Sequence, residues 1–221
     1  GGYSDSGANG DKTQASRGGN DYWIVKTDAS GNKQWDRRFG GTGDDTLNSI
    51  LQTSDGGYIL GGYSTSGANG DKTQVSRGSA DYWIIKTDAT GNKQWDRRFG
   101  GSGNDSLYGL QQTSDGGYVL VGYSNSGNGG DKSQASRGGY DYWIVKTDDL
   151  GNRLWDRCFG GTADEYFNDI QKTMDGGYIL GGLSASGADG DKSQGSRGGY
   201  DFWMVKVRDL TVFNANGRHE Q

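Results

Sequence analysis

The chain has 221 residues, a net charge of -5, 30% hydrophobic residues and no proline. So mild a charge excludes a general attraction to nucleic acid or anionic lipid. No apolar run approaches the roughly 18 residues of a membrane span, so membrane insertion is not expected either. The 43 glycines are mixed with 7 Trp, 13 Tyr and 6 Phe, a balance that points to an all-β secreted module rather than to disorder.

The first residues, GGYSDSG, match the interior of later units, so the chain reads as starting mid-repeat, after any targeting segment. Units begin at Gly1, Gly61, Val121 and Gly181, each 60 residues after the last, with no insertion or deletion. One repeat domain over 1–208 follows, in units 1–60, 61–120, 121–180 and 181–208, with a divergent tail at 209–221. Such units cannot bury their own faces and must stack on one another. No segment keeps a helical apolar period, because glycine interrupts every candidate.

The full unit predicts four strands. Strand A spans Asp45 to Thr53 and turns at Ser54-Asp55-Gly56, where the Asp-Gly step supplies positive φ. Strand B follows over Gly57 to Ser64. After a long loop come strand C, Asp81 to Thr87, the turn Asp88 to Asn92, and strand D, Lys93 to Phe99. In C, Tyr82 and Ile84 oppose Trp83 and Ile85, so both faces are apolar and both need covering. Strand D alternates Trp95, Arg97 and Phe99 with Gln94, Asp96 and Arg98, as a half-exposed outer strand would. The predicted fold is an all-β, β-propeller-like stack of four-stranded antiparallel blades. Residues 1–40 supply B, C and D only, and 161–207 supply A, B and C, so the first and last blades are incomplete at fourteen strands.

The runs DGGYILGGYS and DYWIVKTDASGNKQWDRRFGG resemble the β-propeller repeats of secreted bacterial proteins, particularly long extracellular proteins of Bacteroidetes. The resemblance covers about residues 1 to 208. It implies a secreted or cell-surface location. The tail, from Val207 to Gln221, lacks the Gly-Asn turn and the WDRxFGG exit.

Between B and C a charged loop recurs as GDKTQASRGG, GDKTQVSRGS, GDKSQASRGG and GDKSQGSRGG. It sets Asp11, Lys12 and Arg17 beside counterparts Asp71, Lys72 and Arg77, Asp131, Lys132 and Arg137, and Asp191, Lys192 and Arg197. These twelve are the candidate ligand-binding residues, a rim that would hold an extracellular glycan or protein weakly at several sites. The competing reading is a clamp in which Asp and Arg pin each loop to a neighbouring blade. The clamp is expected for the arginines. Solvent exposure is expected for the lysines, because a lysine rarely buries unpaired.

Other motifs carry less. GANGDKT, from Gly7 to Thr13, is no phosphate loop, since Asp11 precedes the lysine. GGTGDDTLN at Gly40 and GGSGNDSLY at Gly100 fit a calcium nonapeptide without its tandem spacing, so no metal and no cofactor are expected, and calcium should be dispensable. Trp23, Trp83, Trp143 and Trp203 are expected as inter-blade core. Trp35, Trp95 and Trp155 on strand D are expected to be structural rather than sugar platforms. His219 and Cys158 each occur once and form no catalytic constellation, and the remaining departures look like drift. The expected function is therefore a non-enzymatic extracellular binding module, with carbohydrate or a surface polymer as the leading ligand. The rival is a structural spacer or self-assembling scaffold, with a homo-oligomer or further repeats completing the ring.

Overall fold

The structure, a computed structural model, describes residues 1–208; the tail and His219 lie outside the described residues. It is all-β among those residues, with fourteen strands in four antiparallel sheets. Sheet I holds β1 (Gly2–Ser4), β2 (Asp21–Thr27) and β3 (Lys33–Phe39). Sheet II holds β4 (Asp45–Gln52), β5 (Tyr58–Ser64), β6 (Asp81–Thr87) and β7 (Lys93–Phe99). Sheet III repeats this with β8 (Asp105–Gln112), β9 (Tyr118–Ser124), β10 (Asp141–Thr147) and β11 (Arg153–Phe159). Sheet IV has β12 (Glu165–Lys172), β13 (Tyr178–Ser184) and β14 (Asp201–Val207). Strand order follows chain order in every sheet, and sheets I and IV have three strands each. The A–B turn places Gly56 at φ 83°, as the Asp-Gly step predicts.

The two-faced pattern of strand C governs how the sheets meet. Tyr22 and Ile24 of sheet I pack with Leu47, Leu60, Trp83 and Ile85 of sheet II. The opposite face of sheet II, with Tyr82 and Ile84, packs on Leu107, Leu110, Trp143 and Val145 of sheet III. Tyr142 and Ile144 of sheet III then meet Phe167, Ile170 and Leu180 of sheet IV. Each seam carries the same aromatic contact, with ring centroids 4.9 Å apart for Tyr22–Trp83, 4.7 Å for Tyr82–Trp143 and 5.1 Å for Tyr142–Trp203. Each tyrosine hydroxyl also donates across its seam to the backbone carbonyl of that tryptophan, at 2.9, 2.9 and 3.3 Å. The phenol thereby satisfies its one polar group in an otherwise apolar seam.

Two features depart from the sequence reading. Strand A carries a bulge, since the register of β4 on β5 shifts between Leu47 and Ser49, and β8 and β12 do the same. Nothing in the alternation of side chains announces such an inserted residue. Strand D is the partly exposed edge strand expected, but its polar face is more covered than the alternation implies. Asp96 and Arg98 are buried, because the long loop folds back over them. Thr73 N donates to Asp96 at 2.9 Å, Gln74 Oε1 accepts from Arg98 N at 2.9 Å, and Asp96 also accepts from Trp83 Nε1 at 3.1 Å. The loop thus covers the sheet edge, which would otherwise be a pairing hazard.

Trp83 and Trp143 are fully buried, as expected of inter-sheet core. Trp83→Ala should cost about 3–5 kcal/mol, read as a lower denaturant midpoint; an unchanged midpoint would contradict the seam packing.

Candidate functional site

Each charged loop is built around its lysine. Lys72 Nζ donates to Ser66 O at 2.8 Å and Ser76 Oγ at 2.6 Å. Lys132 reaches Ser124 Oγ at 2.6 Å and Ser136 Oγ at 3.1 Å, and stands 5.5 Å over the Trp143 ring. Lys12 and Lys192 make matching bonds to Ser6 O and Ser16 Oγ, and to Ser184 Oγ, Ser186 O and Ser196 Oγ. The expectation that the lysines are exposed is therefore wrong: Lys12, Lys72, Lys132 and Lys192 retain 4%, 2%, 3% and 7% of their surface. Each ammonium finds enough loop oxygens to replace water, so burial leaves it paired. Burial still lowers the Lys72 ammonium, to about 8.

The aspartates and arginines join neighbouring repeats. Asp71 Oδ2 accepts from Gly40 N at 3.2 Å and meets Arg17 and Arg38 at 2.7 and 3.0 Å. Asp131 repeats this with Gly100 N at 3.2 Å and with Arg77 and Arg98 at 3.1 and 2.6 Å. Asp191 pairs with Arg137 and with Gly160 N at 3.1 Å, but Cys158 stands where the second arginine would be. Glycine before the aspartate is required twice over. Gly70 has φ +61°, and a Cβ there would lie 2.2 Å from Gly40 O of the preceding unit. The clamp expected of Arg17, Arg77 and Arg137 is thus present. Asp11 and Arg197 have no partner repeat among the described residues. Arg197 N donates to Asp201 at 2.6 Å and Asp11 lies exposed. The strand-D arginines, Arg38 and Arg98, escaped the sequence reading; their signal was their absence from the one seam that has Cys158.

Beneath each clamp lies a buried carboxylate at the start of strand C. Asp81 Oδ2 accepts from Arg77 N at 2.7 Å and lies 3.4 Å from Arg98 Nε, while its Oδ1 has no hydrogen bond. Asp21 repeats the arrangement with Arg17 N and Arg38, and Asp141 keeps the Arg137 N bond but has Cys158 in place of the arginine; Oδ1 is likewise unbonded in both. Burial pushes Asp81 and Asp141 up to about 6. Taking the carboxylate out of water disfavours its charged form, which is the cause of the rise.

The nonapeptide carboxylates are occupied by the fold. Asp45 accepts from Gly41 N and Ser66 Oγ at 2.7 and 2.8 Å, and Asp44 accepts from Asn20 N at 3.0 Å. Trp35 and Trp95 stand edge-on to Tyr58 and Tyr118, at 5.9 and 6.0 Å. A Cβ on Gly91 or Gly151 of the following sheet would come within 3.0 and 2.8 Å of those indoles. The Cys158 thiol is buried and pushed up to about 11 by that burial, which suits packing rather than nucleophilic chemistry.

No protein-family model and no curated protein matches the chain. Among solved structures it is similar to a protein of unknown function from Bacteroides caccae, at 12% identity and a TM-score of 0.43, over 89% of this chain. The chain spans 63% of the length of that protein.

Two outcomes follow for the loops. Lys72→Ala strands buried acceptors and should cost about 1–3 kcal/mol, and the variant lacking all four lysines should be far less stable than the parent. A melting temperature untouched by either would remove the lysines from the loop core. Arg77→Ala and Asp131→Ala should be coupled by about 0.5–1 kcal/mol in a double-mutant cycle, since Arg77 is partly exposed; additive losses would deny the clamp.

A third concerns pH. Folded Asp81 and Asp141 hold protons that the unfolded chain has released between about pH 4 and 6, so their contribution falls as pH rises through that window. Carboxylates such as Asp55, held at about 2 by hydrogen bonds from Lys86 and Thr53, matter only below it. Stability contributed by these groups should therefore be greater near pH 5 than near pH 7, and Asp81→Asn should flatten the profile. A profile that Asp81→Asn leaves unchanged would refute the assignment.

Proposed function

We propose that this chain is a non-catalytic repeat module of a secreted or cell-surface protein and that it serves as a rigid scaffold. In this reading its four sheets form an arc of a β-propeller, with the A strands nearest the axis. The observation that carries the proposal is the clamp and the lysine burial beside it, which engage all the residues expected to form a ligand rim except Asp11 and Arg197. With the lysines buried and Asp71, Asp131 and Asp191 engaged by arginines, the loops are suited to bracing neighbours. The extracellular part rests on the resemblance of the repeats.

The outer sheets support an arc that takes further units. Sheet I turns outward the face that carries Trp23 and Val25, and Val25 is 38% exposed. Sheet IV turns outward Phe202 and Met204, 89% and 72% exposed, at the positions of Tyr82 and Ile84 in sheet II. These are the two halves of one seam, so a further repeat or a second copy would find complementary surfaces. Light scattering from micromolar to millimolar chain should show concentration-dependent association that Phe202→Asp with Met204→Asp abolishes. A chain monomeric throughout that range would rule out the open arc. An antibody against the chain should label intact cells of its source; labelling only after lysis would end the extracellular reading.

A further inference from the structure

In an array of near-copies, departures from the repeat are informative when they meet in space. Four tyrosines do so. Tyr108 stands where the other units have Asn48 and Asn168, and Tyr166 where they have Thr46 and Ser106. Tyr140 and Tyr200 share a position held by Asn20 and Ala80 in the first two units. With Tyr123 of β9 they form one patch at the loop end of the seam between sheets III and IV. Tyr108 stacks on Tyr123 at 5.1 Å with an interplanar angle of 27°, and their hydroxyls are 2.8 Å apart. Tyr123 meets Tyr140 and Tyr166 edge-on, each at 5.1 Å, and Tyr166 lies 5.7 Å from Tyr200.

The other seams close without such a patch. The positions of Tyr108, Tyr140 and Tyr166 are small or polar in the preceding units, and the first two seams close on their core and on Tyr22–Trp83 and Tyr82–Trp143 without such a cluster. The patch is not core. Tyr82 and Trp143 keep no exposed surface, whereas Tyr200 is 48% exposed and the other four rings are half-buried. Polar groups border the rings: Asp164 accepts from Tyr140 N at 2.9 Å and faces Tyr166 Oη at 3.5 Å, and Asn104 Nδ2 donates to Tyr140 Oη at 3.3 Å. Among the described residues no lysine or arginine lies over any of these five rings.

We propose that the tyrosine patch is a binding site for a neutral saccharide chain. Sugar rings divide their surface as tyrosine does, into an apolar C–H face and a rim of hydroxyls that both donate and accept. Tyrosine supplies large contact area with few rotors to freeze, and its hydroxyl bonds at the edge. Asp164 and Asn104 offer an acceptor and a donor for sugar hydroxyls beside the rings. The lack of facing cations, together with Asp164, disfavours a polyanionic polymer. Among the described residues there is one such patch, not a rim of equivalents. The site goes beyond the scaffold role, which assigns no ligand and stands if this site fails.

The test borrows residues from sister units, which the same fold already accommodates. Tyr108→Asn, Tyr140→Ala and Tyr166→Ser are combined in one variant, with Tyr200→Ala as a separate, exposed substitution. Titration calorimetry with cello-, xylo-, malto-, laminari- and chitohexaose should find at least one binder at about millimolar affinity or tighter. The triple variant should weaken that binding at least about tenfold with the melting temperature preserved, and Tyr200→Ala should weaken it in the same direction even if the triple variant fails to fold. Binding that ignores Tyr200→Ala and the folded triple variant would remove the patch as its site. Absence of binding by all five sugars would overturn the saccharide assignment.

Discussion

A sheet with two apolar faces cannot exist alone in water, and this constraint organises the molecule. Strand C puts an aromatic on each face, Tyr82 on one and Trp83 on the other, so each sheet needs a neighbour on either side. The hydrogen bond that each tyrosine hydroxyl donates to the next tryptophan's backbone carbonyl then fixes how far each sheet slides on the next. Apolar burial gives the stack its attraction, and this single polar contact gives it register. The clamps at the loop end work on the same seams from outside.

The loops show how a charged surface motif can be internal chemistry. Their lysines are ringed by serine oxygens, and Asp71, Asp131 and Asp191 are each shared by backbone and guanidinium of the preceding unit. A loop that looks like a recognition element in sequence is, in space, a cover for strand D and a fastening between units. The buried carboxylates below it keep one oxygen without a hydrogen bond, and that burial raises Asp81 to about 6.

Much of the fold was legible in the sequence because period and turn chemistry are local. Asp81–Thr87 and Lys93–Phe99 end where alternation and Gly91 say they should. The arginine clamp was also readable, since Arg and Asp recur at a fixed spacing beside glycine. The lysines were not, because the oxygens that bury Lys72 come partly from Ser66 on the far arm of the loop, and composition does not reveal that closure. The tyrosines did not stand out from the other departures for a related reason: Tyr108 and Tyr166 are 58 positions apart in the chain, and only the stacking of two sheets shows that they share a surface.

The substitution at Cys158 makes the array uneven. The seam between sheets III and IV has one arginine on its aspartate where the other two seams have two, and its tyrosine–carbonyl bond is the longest, at 3.3 Å. Stability in a repeat array is a sum of nearest-neighbour terms, so opening will start at the weakest of them. Amide exchange in β12, β13 and β14 should then outpace exchange in sheet II. The chain would come apart like a zipper with one marked end, the last sheet peeling away while the inner sheets keep their protection.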